Sequence, residues 1–451
     1  MFVAMKSIPS SARAIFVSFF LPLCAQAAPV VDLWQLPSGA RVALVSAPSI
    51  PMLDVRIAFD GGSRRDPAPQ AGLASATALM AQRGLAATAT EPALDQNQLT
   101  ERWMDLGAQW SVSAGADQLG ATLRTLTADD VLPATLALAA RQLAAPRFDS
   151  EHATPIWQRE RERMAAAWAN ASTQPATIAA RRFAAAVYGS HPYGAEATPE
   201  TLARITVADM ATHWQRHVRA CAAHVSLVGA VTRAQASAIA TQLLAGLPQT
   251  GCGGLPPVPE VAPLAEGTGQ RVPLATAQAH VWLGQPGHRR DDPDFFPLLL
   301  GNYILGGGGF VSRLTAEVRE QRGLAYSVGS YFSPGAHAGA FTVNLQTRPD
   351  QASQALTLAR DVVTRFVQDG PTDAELQAAK DFMVNGFALR IDTNRKLLDN
   401  VANILWLGLP PTYLQTWTGH IQAVTTADIR RAFQRVLQPG RMAAVVVGGA
   451  P

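Results

Sequence analysis

Ile205-Thr-Val-Ala-Asp-Met210 and Val424-Thr-Thr-Ala-Asp-Ile429 read as two copies of one segment. Asp209 and Asp428 lie 428 − 209 = 219 positions apart. The same offset carries Gly229 of Val225-Ser-Leu-Val-Gly229 onto Gly448 of Ala444-Val-Val-Val-Gly448. Each copy reads as a capped helix start, a helix, and a β-branched strand closed by Gly. Thr206 and Thr425 suit the N-cap, and an Asp three residues on is favoured in the first turn. A second echo lies nearer each start, in Gly62-Ser-Arg-Arg-Asp-Pro67 and Gly287-His-Arg-Arg-Asp-Asp-Pro293. Each follows an alternating, strand-like run (Val55–Phe59 and His280–Leu283) and precedes an apolar helical run. Motifs repeated in the same order mark a duplicated domain rather than a short-period solenoid.

Periodicity predicts strands near 41–47, 53–60, 108–114, 118–125 and 224–229, then 271–275, 279–284, 326–333, 339–347 and 443–448. Helices are predicted near 71–83, 95–106, 128–143, 150–170, 175–187 and 207–219, then 294–305, 311–321, 351–369, 373–390, 394–406 and 426–436. Thr127 and Asp130 read as a capping-box variant. The fold class expected is α+β: two tandem duplicated domains, each an antiparallel-rich sheet covered by helices. The domains are placed at 31–245 and 271–451, joined by a Gly/Pro-rich linker over 246–270.

The first 27 residues read as an export signal. Lys6 and Arg13 flank its start, Ala14–Leu23 is apolar, and Ala25-Gln26-Ala27 has the form of a cleavage site. Cys24 offers a lipidation alternative, although Leu23 is bulky where a lipobox needs a small residue. No later apolar run reaches the ~20 residues of a membrane helix. The mature chain is therefore placed in a bacterial periplasm, without membrane insertion. Cleavage lowers the formal charge to 3 − 2 = +1. Lys occurs only at positions 6, 380 and 396, and no basic run is interleaved with aromatics, so no nucleic-acid partner is expected. Cys221 and Cys252 can pair in an oxidising compartment, and their spacing leaves the pairing open.

The second half carries a specific signature. Gly306-Gly-Gly-Gly-Phe-Val-Ser-Arg-Leu314 is followed by Glu317-Val-Arg-Glu-Gln-Arg-Gly-Leu-Ala-Tyr-Ser327. This pattern resembles the pitrilysin or insulinase (M16) peptidases, zinc enzymes with an H-x-x-E-H helix. The resemblance covers residues from about 31 to 451 and implies an M16 peptidase-like (LuxS/MPP-like) fold. It also implies a metal site in the first domain. Matching Gly62-Ser63, Gly72-Leu-Ala74 and Met80 to the family puts the first motif His at Ser75, the Glu at Ala78 and the second His at Leu79. The third ligand, a Glu, falls near Ala169 on a long helix that also carries Glu160 and Glu162. Zinc takes Cys, His or carboxylate donors. Ala78 has no carboxylate to accept a proton from a zinc-bound water, and Leu79 has no donor at all.

Other clusters offer no substitute. His213 and His217 lie four apart on a predicted helix, but Arg216 stands where a Glu would be, and the pair reads as a solvated helix face. No Gly-x-Ser-x-Gly elbow is present. The glycines 306–309 lack a following Lys-Ser/Thr, so they read as a tight turn rather than a phosphate cradle.

What the resemblance leaves in place is Arg319 and Tyr326. In the resembled peptidases an Arg and a Tyr at this spacing reach the substrate across the chamber. The strand corresponding to Ala108–Ser113 pairs there with an extended peptide. Some family members work as two chains, one bearing the zinc helix and the other the Arg and Tyr. The expectation is thus a periplasmic, non-catalytic subunit that binds no cofactor and pairs with a zinc-bearing homologue to cut peptides. A peptide-binding or scaffold protein is the alternative, and a stand-alone peptidase with unrecognised ligands a further one.

Overall fold

A computed structural model describes residues 28–449. The proposed signal peptide, with Cys24, lies outside the described residues. Two sheets organise the chain. The first has six strands in the order Asp32–Gln35, Arg41–Ser46, His224–Gly229, Met52–Phe59, Leu119–Leu126, Gln109–Ala114. The second has five, in the order Gly269–Val272, Ala443–Val447, Ala279–Pro286, Ala340–Thr347, Ser327–Phe332. Each contains one parallel pair, Arg41–Ser46 with His224–Gly229 and Gly269–Val272 with Ala443–Val447, and is otherwise antiparallel. The second sheet thus repeats the strand order of the first, which carries one added edge strand. This is the expected α+β class, with helices over the sheets.

Local chemistry fixes the element ends. Thr206 and Thr425 each accept a hydrogen bond from the N–H of the Asp three residues on and complete reciprocal capping boxes. Thr127 and Asp130 do not. The helix there starts at Leu132, with Pro133 in its first turn and no side-chain cap. Proline stands where the missing N–H costs no intrahelical bond, so the helix begins later than the Thr–Asp spacing predicts.

Each half buries one sheet face under its own helices. Leu53, Val55, Ile57 and Phe59 pack there in the first half, and Val281, Leu283, Phe341 and Val343 in the second. The opposite faces are covered by exchange. Helix Pro175–Tyr188 of the first half lies on the second sheet, with Ala179, Phe183 and Val187 against Ala340, Val445 and Val447. Helix Asn394–Leu407 of the second half lies on the first sheet, with Leu397, Leu398, Val401 and Leu405 against Ala43, Val45 and Val228. These two helices stand 394 − 175 = 219 positions apart. The sequence offset therefore extends to a reciprocal crossing, by which each sheet buries both faces.

The segment after Leu244 is tied down. A disulfide joins Cys221 to Cys252, with a Cα–Cα distance of 6.0 Å. The Ala220 N–H donates to the Pro248 carbonyl at 3.0 Å, and His191 Nε2 to the Pro259 carbonyl at 2.9 Å. No helix among the described residues is long and apolar enough to cross a membrane.

Candidate functional site

The helix Leu73–Met80 carries Ser75, Ala78 and Leu79, the positions at which the zinc motif is expected. Its N-terminus is set by Asp66, whose carboxylate accepts from the N–H groups of Gly72 and Ala74, both at 2.9 Å. Burial lifts the Asp66 pKa to about 6, against the pull of those donors. Leu73, Ala76 and Met80 pack on Ala153, Ile156 and Trp157 of the long helix Ser150–Ala171. Ala78 is buried, Leu79 half-buried, and Ser75 exposed. The hydroxyl of Thr77 is used internally, donating to the Leu73 carbonyl at 2.8 Å. On the facing helix Glu160 pairs with Arg83 at 2.8 Å, whereas Glu162 and Ala169 are exposed. Among the described residues no three His, Cys, Asp or Glu side chains converge in a way that could hold a metal ion. The side chains at 75, 78 and 79 do not fit zinc, and no step through a metal follows from them.

His213 and His217 are not a solvated face. Both are buried, with ring centroids 4.4 Å apart. His213 Nε2 donates to the Gly61 carbonyl at 3.0 Å, and His217 Nδ1 to the Asp60 carbonyl at 2.6 Å. They pin the end of strand Met52–Phe59 to helix Val207–His217. Burial pushes the pKa of His213 down to about 4 and lowers that of His217, disfavouring the charged ring at both positions.

The outer edge of the first sheet is partly closed. Gln82, just past the motif helix, accepts from the Val112 N–H at 3.1 Å and donates to the Val112 carbonyl at 2.9 Å. Those are the two backbone groups an added strand would use at that position. Trp110, on the same strand, is held by a neighbouring ring. Its ring stacks on Trp103 at 5.6 Å, with the planes 3° apart.

The Gly-rich turn builds the other candidate surface. A Cβ on Gly306 would stand 2.5 Å from the Ser330 N, so only Gly allows this approach to strand Ser327–Phe332. Asn302 fastens the same contact, donating to the Ser330 carbonyl at 3.1 Å and accepting from its hydroxyl at 2.8 Å. Tyr303–Gly307 and Thr315–Gln321, on either side of the turn, are wound as π-helix, a rare winding frequent at functional sites.

The two arginines that follow are held by different devices. Arg313 makes a bidentate pair with Glu375, both bonds 2.7 Å, and donates to the Gly370 carbonyl. The Arg313 hydrogen bonds hold the Glu375 pKa down at about 2. Arg313 is thereby spent on structure. Arg319 forms no ion pair among the described residues, and Glu317 pairs with Arg365. Its Cζ lies 4.7 Å from the Phe310 ring and 5.4 Å from the Tyr326 ring. Tyr326 stands before its strand and is 77% exposed. The structure thus brings Arg319 and Tyr326 together and adds Phe310. A cavity of about 640 Å³, lined by Arg56, Ser111, Thr122, Tyr193, Arg395 and Asp399 among others, involves neither these residues nor the Ser75–Leu79 face. The motif spacing gave no signal for that cavity, because its walls come from crossing elements.

Comparisons with known proteins identify the family. Residues 204–383 match the family model described as "Peptidase M16 inactive domain". The chain is similar to the crystal structure of a peptidase M16 inactive domain from Pseudomonas fluorescens. The TM-score is 0.86 at 30% identity, covering 93% of this chain and 98% of that one. An uncharacterized zinc protease of Streptomyces coelicolor is 34% identical over 189 residues, 40% of this chain and 41% of that protein. The Helicobacter pylori protein named "Non-peptidase homolog YmxG" is 36% identical over 157 residues, 34% of this chain and 36% of that protein. The alignments to these two curated relatives therefore span well under half of each. The chain belongs to the peptidase M16 family, as a homologue of its inactive-domain type.

Proposed function

We propose that this chain is the non-catalytic subunit of a two-chain, periplasmic M16-type peptidase. It contributes Arg319 and Tyr326 to the chamber of a zinc-bearing homologue, and the two halves, 31–245 and 271–451, form one side of that chamber. The observation that carries this reading is the contrast between two surfaces. The helix Leu73–Met80 offers no metal donors at positions 75, 78 and 79, while Arg319 lies against two aromatic rings and makes no ion pair among the described residues. A guanidinium without a carboxylate is available to a peptide carbonyl or carboxylate, and an exposed phenol to a developing oxyanion. Among the described residues no side-chain hydrogen bond or ion pair uses either group. The Cys221–Cys252 disulfide supports an oxidising compartment and hence export.

The test is a peptide-hydrolysis assay of four samples: this chain alone, the zinc-bearing homologue alone, both together, and both with Arg319→Ala and Tyr326→Phe in this chain. The expected result is activity only in the wild-type pair. Losing donors that act on a transition state lowers kcat by about 10²-fold or more. Full activity with the double variant removes the proposed role. Peptide binding with no effect on the homologue's hydrolysis would instead support a binding or scaffold protein.

A further inference from the structure

The Arg319 stack has a member outside the Arg–Tyr spacing. Gly309, at φ +61°, turns the chain directly before Phe310, and Phe310 is 68% exposed. Its ring is the nearer of the two that hold Arg319, at 4.7 Å against 5.4 Å. An aromatic face attracts a guanidinium through its quadrupole and leaves the N–H edge unused. A carboxylate does the reverse, as Glu375 does to Arg313. Val311, the next residue, is 75% exposed. Two aromatic rings on one guanidinium, followed by an exposed Val, make an apolar surface beside an unpaired cation. Such a surface suits a chain that offers a carbonyl or carboxylate together with a large apolar side chain.

We infer that Phe310 is the positioning and specificity-determining residue of this surface. It holds Arg319 with its donors outward, and it receives a large apolar or aromatic side chain of the peptide beside the group that Arg319 binds. This rests on the reading of Arg319 and Tyr326 as substrate contacts.

The experiment uses the full chain and two fluorescein-labelled undecapeptides of alternating Ala and Ser, one with a central Phe and one with a central Ala. Fluorescence anisotropy gives both affinities. The wild type should prefer the Phe peptide by about tenfold, since one buried aromatic contact is of that order. Phe310→Ala should cut that preference below about twofold and weaken both peptides. Phe310→Tyr should restore both properties. Phe310→Leu should keep the preference and bind both peptides more weakly, because it retains apolar area without a ring quadrupole. Circular dichroism and the melting temperature should match the wild type for every variant at this exposed position.

The inference is overturned if the wild type binds the two peptides equally or binds neither, or if Phe310→Ala keeps the wild-type ratio. The hydrolysis assay separates the two claims. Unchanged hydrolysis with Arg319→Ala, alongside the expected anisotropy pattern, sinks the two-chain reading and upholds this inference. Lost hydrolysis with Arg319→Ala, alongside an unaltered ratio for Phe310→Ala, sinks this inference alone.

Discussion

Single residues decide this protein's chemistry by what they no longer are and by what they touch. The side chains at 75, 78 and 79 give a helix face without donors, and this was legible in the sequence because donor identity is a property of residue type. The fate of the histidines was not. A four-residue spacing tells that His213 and His217 share a face, not whether that face meets water or the Asp60–Gly61 backbone. The difference has a measurable consequence. Unfolded His213 takes up a proton below its ordinary pKa of 6.5, whereas the folded residue stays neutral down to about 4. The unfolded state thus binds more protons between those values, and stability falls as pH drops through the window. At pH 4.5 the loss from this residue is roughly 2–3 kcal/mol relative to pH 7.5. Urea unfolding of wild type and His213→Gln at both pH values checks it. The variant should show a pH dependence flatter by about that amount.

At the scale of elements, most strands and helices lie within a few residues of the periodicity reading, because alternation and capping are local signals. The exceptions are instructive. Strand Asp32–Gln35 and helices Pro199–Ala203, Arg233–Leu244 and Tyr413–Ala423 lie outside the predicted elements, and the two-residue strands Gly84–Leu85 and Leu94–Asp95 have no predicted counterpart. The first is a four-residue edge strand that exists by pairing with Arg41–Ser46. Helix Arg233–Leu244 buries Ala236, Ile239, Ala240 and Leu243, a face too rich in Ala to show clearly as a stripe. The edge strand Gln109–Ala114 carries the testable feature, because Gln82 takes both outward backbone groups of Val112. Gln82→Ala should accelerate amide exchange at Val112 roughly fivefold, as losing a hydrogen bond of ~1 kcal/mol implies. It should also open the edge to an added peptide strand. Unchanged protection at Val112 in hydrogen-exchange measurements would show that the side chain does not close the edge.

The whole molecule is an interlocked pair rather than two beads. Each sheet completes its second face with a helix borrowed across the 219-residue repeat, so neither half buries its apolar surface alone. Phe183 is the clearest probe. It belongs to the first half but packs on the second sheet, 5.4 Å from Trp282. Phe183→Ala should destabilise the protein by about 3–5 kcal/mol, the usual cost of emptying an aromatic core site. Denaturant unfolding followed through fluorescence and circular dichroism should show one shifted transition for both halves. Two separated transitions would mean that the crossing helices do not couple them.

The sequence by itself determined the duplication, the class of fold, the absence of His, Cys or carboxylate side chains at 75, 78 and 79, and the Arg319–Tyr326 spacing. All of these depend on residue type, local period or internal repetition. Only the tertiary structure decided that the histidine pair is buried, that Cys221 meets Cys252, that Gln82 closes the sheet edge and that Phe310 reaches Arg319. Each of those contacts joins segments brought together by turns and crossings. Their energies depend on distance and burial, which one-dimensional spacing does not encode.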